Sequence, residues 1–294
     1  MRSLLFILGI LATTASILAQ PARQDPSPMT DSTRPHPRIA KIEVAGKRVA
    51  LQSLKGATLF TSAKFKSRAS VPLIIHFPGA PWLVERHIAA ETPRAALITV
   101  QLGAGSSAYG RPFADAGLFP KLIDEARKEL GDVKGWSSIT LTGFSAGYGA
   151  IRAILRQPEN YTKITNVLLL DGIHASYEPE GKVLADGGVI AAADLDSFVE
   201  FAKDAVAGKK TFVLTHSEIF PGTFVSTTEC TEYLLRQINI KRVPKLREGP
   251  MGMQQLSAIR REQFFVFGYA GNSAPDHVDF LHAMPFWFKF LQIK

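Results

Sequence analysis

One cysteine, Cys230, occurs in the 294 residues. No internal disulfide can form, so packing alone has to hold the domain together. The flanking Thr228-Glu229-Cys230-Thr231 resembles no nucleophile site, and a small packed residue in a helix is expected there. Long apolar runs are also missing. The longest, Leu4 to Leu11, is short of the ~20 residues a membrane-spanning helix needs. Blocks of one charge are lacking too. The formal charge is +8, from 34 Lys+Arg against 26 Asp+Glu, but it is scattered, with one modest basic group at Lys241, Arg242, Lys245 and Arg247. With no nucleic-acid motif, no nucleic-acid partner is expected. There is no internal repeat, and no metal or cofactor motif, so the expectation is that no cofactor is required.

What is present begins with a positively charged start, Arg2, an apolar core, and small residues leading to Ser16-Ile17-Leu18-Ala19. That is the pattern of a secretory signal over 1–19, and it predicts a secreted or periplasmic protein with no membrane span after cleavage. Residues 20–38 carry Pro21, Pro26, Pro28, Pro35 and Pro37 among polar residues and read as a disordered linker. A single domain is expected over 39–294. An apolar fraction of 46% with 20% charged residues describes a folded chain with a sizeable core.

Within that domain, Ile39 to Val44 alternates at period two, and Lys55 to Thr61 is a second strand candidate. Val71 to Phe77, Ala96 to Gln101, Ser138 to Leu141, Thr165 to Leu170, Thr211 to Thr215 and Phe264 to Gly268 are short apolar runs, the signature of strands buried on both faces. Helical patterns separate several of them, over Leu118 to Leu130, after Ser145, and over Leu195 to Ala207. The alternation predicts an α/β fold with a mostly parallel central sheet and helices on both faces, its chemistry at the carboxyl ends of the strands. Gly103 to Gly110 reads as a flexible loop. Residues 218–262 exceed one crossover and are compatible with a lid, a site for acidic groups, or a solvated excursion.

The chain is organised around Gly143-Phe144-Ser145-Ala146-Gly147, a G-x-S-x-G pattern between a strand and a helix. Such a turn strains the serine backbone and lifts its hydroxyl above the sheet, and the amide of Ala146 can donate to an oxyanion. A serine nucleophile needs a base. His277, just past the last strand, is the best placed, with His282 as the alternative. The base needs an acceptor, and Asp171, directly after a buried strand, is favoured over Glu218. A metal site of His277, Asp279 and His282 is disfavoured because five residues along a helix turn the two imidazoles apart. The second oxyanion donor narrows to Gly79 or Ala80, since Pro78 and Pro81 have no N–H, and Ala80 is taken.

From Val71 to Lys294 the chain resembles an α/β-hydrolase-fold serine hydrolase of the esterase and lipase kind. Gly143 to Gly147 resembles that family's nucleophile elbow, and Pro78-Gly79-Ala80-Pro81 is similar to its oxyanion turn, with Pro78 where a histidine is usual. The resemblance implies Ser145 as nucleophile and His277 as base, in the order serine, acid, histidine. The resemblance does not identify the substrate; a small-molecule or polymer-derived ester is expected, with a peptidase or amidase, or a non-catalytic binding protein, as the other readings. Asp171 departs from the family's usual acid position by one strand.

Overall fold

The structure is a computed structural model that describes residues 34–293. The signal-like segment 1–19 and residues 20–33 lie outside the described residues. Among those described, no helix is long and apolar enough to cross a membrane.

Twelve strands and nine helices follow in chain order among the described residues: β1 Gly46–Ala50, β2 Ala57–Ser62, β3 Ser70–Phe77, α1 Pro81–Glu91, β4 Ala96–Val100, α2 Ser106–Phe113, α3 Leu118–Glu129, β5 Gly135–Phe144, α4 Tyr148–Leu155, α5 Pro158–Lys163, β6 Asn166–Leu170, β7 Tyr177–Glu178, β8 Val189–Ile190, α6 Asp196–Val206, β9 Thr211–His216, α7 Thr227–Gln237, β10 Val243–Glu248, β11 Gln254–Arg261, β12 Phe264–Tyr269, α8 Ala274–His282 and α9 Pro285–Phe288. Ten strands form one sheet in the order β1-β2-β4-β3-β5-β6-β9-β12-β11-β10, and β7 pairs with β8 alone. The run from β4 to β12 is parallel throughout. β1, β2, β11 and β10 add antiparallel pairs at the two ends.

The central strands are buried on both faces because their residues alternate between two apolar layers. Leu73, Ile75, Phe77, Val167, Leu169, Phe212 and Leu214 face α2, α3, α4, α6 and α7. Their neighbours Ile74, Leu97, Leu168, Leu170 and Val213 face α1, α8 and α9. Each such side chain, fully out of water, contributes roughly 1.5–3 kcal/mol. The period-two pattern vanishes from the sequence because both faces are apolar. Since β3 leads to β4 on one side and β5 leads to β6 on the other, the chain reverses direction across the sheet between β3 and β5. A crevice opens there at the carboxyl ends.

Three expectations change. Ile39 to Val44 is not a strand; the ladder begins at Gly46. Gly103 to Gly110 is mostly helix, α2, because Gly149 lets the two helices touch: a Cβ there would lie 2.2 Å from the Ser106 carbonyl oxygen. Residues 218–262 hold α7 and the hairpin β10–β11, which extends the sheet. Cys230 is fully buried in α7, as its surroundings suggested, and burial raises its thiol pKa.

Residues 34–38, read as the end of a linker, lie with Ile39 across α8. Arg34 donates to Asp276 Oδ1 at 3.1 Å and to Asp279 Oδ2, and its other nitrogen donates to the Met251 carbonyl. Arg38 donates to Asp279 Oδ1 and to the Pro275 carbonyl, His36 Nδ1 sits 2.8 Å from Asp279 Oδ2, and the Ile39 amide donates to His282 Nδ1. His36, Asp276 and Asp279 stand close enough together to hold a cation. Arg34 and Arg38 already neutralise those carboxylates, so the cluster is an ion-pair network. Asp279 is completely buried. Asp279→Ala is expected to lower unfolding stability by about 2 kcal/mol in urea titrations. An unchanged midpoint would show that the strap contributes nothing.

Four histidines are held uncharged by burial. His76 is pushed down to about 3, and His87, His174 and His216 to about 4. The unfolded chain takes up protons at these positions from about pH 6.5 downward, and the folded chain does not. Stability is therefore complete above about pH 6.5 and falls with acidity, by about 1.4 kcal/mol per pH unit for each histidine that stays neutral. Urea midpoints at pH 7.5 and pH 5 check this; equal values would overturn it.

Candidate active site

The turn at the end of β5 is built by close backbone contact. Ser145 has φ +51°, a left-handed conformation that a side chain adopts only under strain of roughly 1–3 kcal/mol. Ser145–Gly147 form a single 3₁₀ turn that runs into α4. Gly147 presses on the end of β3: a Cβ there would lie 1.9 Å from the Phe77 carbonyl oxygen and 2.9 Å from Pro78 Cδ. On the other side, a Cβ on Gly172 would lie 2.4 Å from the Ser145 carbonyl oxygen. Glycine is the residue that permits each approach. The serine is thereby wedged between the ends of β3 and β6. Its hydroxyl makes no hydrogen bond to protein among the described residues, so its proton is not committed to the fold.

Ala146 follows in the 3₁₀ turn, where amides have no acceptor one turn earlier. Ala80 caps α1 from the Pro78-Gly79-Ala80 turn, with its carbonyl accepting from Leu83 and Val84. The Gly147 contact with Phe77 and Pro78 holds these two donor-bearing turns against each other.

Asp171 ends β6, also left-handed at φ +45°. Its side chain is 2% exposed yet fully satisfied. Oδ1 accepts from the Ser217 amide at 2.8 Å and Thr227 Oγ1 at 3.1 Å; Oδ2 accepts from Ser217 Oγ at 2.8 Å and His277 Nδ1 at 2.6 Å. Burial by itself raises the carboxyl pKa, but the hydrogen bond and charge of His277, with the Ser217 donors, more than offset it. The acid is held below its ordinary value. Because His277 Nδ1 donates to the carboxylate, Nε2 is left as the basic nitrogen. The imidazole stacks on Phe144, the residue before Ser145, with ring centres 4.5 Å apart. α8 presents it from a capping box in which Ser273 and Asp276 bind each other's backbone amides.

The structure therefore brings Asp171 and His277 into contact and stacks the imidazole on Phe144, the residue before Ser145. It does not do so for the alternatives. His282 is one turn further along α8, accepts from the Ile39 amide, and has its pKa lowered by burial and then by Arg38. Glu218 is exposed, and its backbone amide pairs with the Gly271 carbonyl. His277, Asp279 and His282 do not converge; Asp279 turns to the strap.

Several residues emerge only from the folded chain. Ser217 and Thr227 complete the Asp171 shell, and nothing local in sequence marks them. Beside Ser145 opens a cavity of about 450 Å³, lined among others by Ala146, Tyr148, Arg152, His174 and Phe224. His174 donates from Nδ1 to the Val225 carbonyl at 2.8 Å and packs edge-on against Tyr148 and Phe224. Spacing could have pointed to Tyr148 and Arg152, three and seven residues beyond Ser145 on the same helical face.

No protein-family model and no curated protein matches the sequence. Among solved structures the chain is similar to a dienelactone hydrolase-like promiscuous phosphotriesterase from metagenomic libraries, at 12% identity over 85% of this chain and 99% of that one, TM-score 0.45. It is also similar to a carboxyl esterase from the fungus Tuber melanosporum, at 13% identity over 86% and 89%, TM-score 0.46. A third is the acylaminoacyl peptidase of Pyrococcus horikoshii, at 13% identity over 86% and 43%, TM-score 0.47. At such distances the molecule's own topology carries the assignment. A parallel sheet ordered β4-β3-β5-β6-β9-β12, with helices on both faces and antiparallel strands added at its ends, is the α/β-hydrolase fold.

Proposed function

We propose that this chain is an exported serine hydrolase that cleaves esters by acyl transfer. The observation that carries the reading is the 2.6 Å bond from His277 Nδ1 to buried Asp171, with the imidazole stacked on the residue preceding a strained serine. Ser145 Oγ attacks the carbonyl carbon while His277 Nε2 takes the hydroxyl proton. Asp171 fixes the tautomer and stabilises the imidazolium. The oxyanion accepts from the amides of Ala146 and Ala80. As the C–O bond breaks, His277 returns the proton to the departing alcohol. Water, deprotonated by the same nitrogen, then releases the acid and restores Ser145. Every group in this sequence belongs to the chain. Export rests on the signal-like pattern of residues 1–19.

A fluorophosphonate probe is expected to label Ser145 in the wild-type protein and not in Ser145→Ala, seen by peptide mass spectrometry. Ester hydrolysis by Ser145→Ala should fall at least about a thousandfold with the fold intact. Retained turnover in the pure variant would remove Ser145 from the chemistry. Asp171→Asn is expected to lower kcat by about 10³–10⁴-fold, because an amide cannot hold the required tautomer. Thr227→Ala, which removes one donor of several, is expected to cost only about threefold. A loss for Asp171→Asn as small as for Thr227→Ala would take the acid role from Asp171.

A further inference from the structure

The cavity beside Ser145 is closed at one side by a guanidinium that the fold does not use up. Arg152 projects from α4, two turns beyond Ser145, and its side chain is 17% exposed. One nitrogen, Nη1, is anchored: it lies 3.0 Å from Asp194 Oδ1 and donates to the Asp194 carbonyl at 3.4 Å. Nε and Nη2 have no hydrogen-bond partner among the described residues. The planar group lies over the Tyr148 ring, 5.3 Å from its centre, which fixes its orientation without consuming a donor.

Asp194 does not cancel this charge. The same carboxylate faces Arg156 at 3.7 Å and accepts the Ser176 amide at 2.9 Å. Two guanidiniums thus share one anion, and the surplus is positive. Asp171, the acid beyond His174, is sealed by its own donors. His174 stays neutral, with its Nδ1 hydrogen given to Val225, so it contributes neither charge nor a donor to the cavity. The remaining wall holds Tyr148 and Phe224, edge-on to His174 at 5.4 and 4.8 Å, with Ser106, Ser176 and Asp194 itself. A salt bridge serving only to tie α4 to residues 192–194 would pair the arginine fork with both carboxylate oxygens. Here the contact is through one nitrogen, and the rest of the fork, on a residue that lines the cavity, has no partner among the described residues.

We propose that this pocket takes substrates bearing a carboxylate, which Arg152 binds through Nε and Nη2 while the Tyr148, His174 and Phe224 rings enclose the body between it and the scissile carbonyl. The proposal rests on Ser145 as the nucleophile of the same cavity. The carboxylate enters on either the acyl or the alcohol side, and the two are distinguishable. For the acyl side, kcat/KM for 4-nitrophenyl hemiglutarate is compared with 4-nitrophenyl hexanoate; for the alcohol side, 4-acetoxybenzoate with 4-acetoxybenzamide.

In wild-type protein one of the two charged-to-neutral ratios should be about tenfold or more, shrinking in about 0.5 M salt. Arg152→Gln should bring that ratio to about one while Ser145 still labels with fluorophosphonate; Arg152→Lys, which preserves the charge beside Asp194 should Arg152→Gln fail to fold, should keep the ratio above one. Wild-type ratios of one or below on both sides, or a ratio untouched in labelled Arg152→Gln, would overturn the assignment. Calorimetry of benzoate against benzamide needs no turnover. Benzoate binding lost in Arg152→Gln would support the pocket even if no ester were cleaved and Ser145 failed to label, which would count against the hydrolase reading alone. Equal affinity for benzoate and benzamide would count against the pocket.

Discussion

Three backbones meet where β5 ends, and the molecule is arranged so that nothing stands between them. The chain at Ser145 touches the end of β3 through Gly147 and the turn after β6 through Gly172. A single methyl at either glycine would sit inside another residue's carbonyl. Because the sheet is tightly packed on both faces, the serine cannot relax out of its left-handed conformation by pushing a neighbour away. The strain is held by the same contacts that bring the candidate oxyanion turn and the candidate acid toward Ser145. Fold stability and site geometry are one constraint at this point.

The second dependence is electrostatic. A carboxylate as enclosed as Asp171 would ordinarily be protonated or expelled. It stays ionised because four donors converge on it, from β6's neighbour β9, from α7 and from α8. Two of those elements lie on opposite faces of the sheet. The acid therefore locks both helical layers to the strand ends. Ser217, directly after the neighbouring strand β9, supplies two of the four donors.

Much of this was legible in the residues alone, for a physical reason. Buried parallel strands announce themselves as short apolar runs, and polar residues that terminate them must be at the carboxyl edge. Ser145, Asp171 and His277 stood out on that ground; the structure pairs Asp171 with His277 and stacks the imidazole on the residue before Ser145. What could not be read was whatever depends on contacts distant in the chain. The alternation in Ile39 to Val44 mimics a strand, but there the backbone is held by the Ile39 amide on His282 and by Arg86 and Arg48 donating to the Ala40 and Val44 carbonyls, not by a ladder. Of the glycines of 103–110, Gly110 proves to be clearance between α2 and α4, a Cβ there lying 3.3 Å from the Gly149 carbonyl oxygen, while Gly103 and Gly105 face open space. Ser217, Thr227 and Arg152 are ordinary residues until the fold assembles what surrounds them.

The hairpin β10–β11 has a further effect on how this molecule meets its own kind. It moves the outer rim of the sheet away from apolar β12 to a strand exposed along its whole length, interrupted by Pro244, kinked by a register shift before Arg247, and bearing Lys245. The opposite rim, β1, shows Lys47 and Arg48. A second sheet approaching the β10 margin finds an amide hydrogen missing at Pro244, a break in register and an exposed lysine, and one approaching β1 finds a charged, exposed edge, so edge-to-edge pairing is discouraged at both.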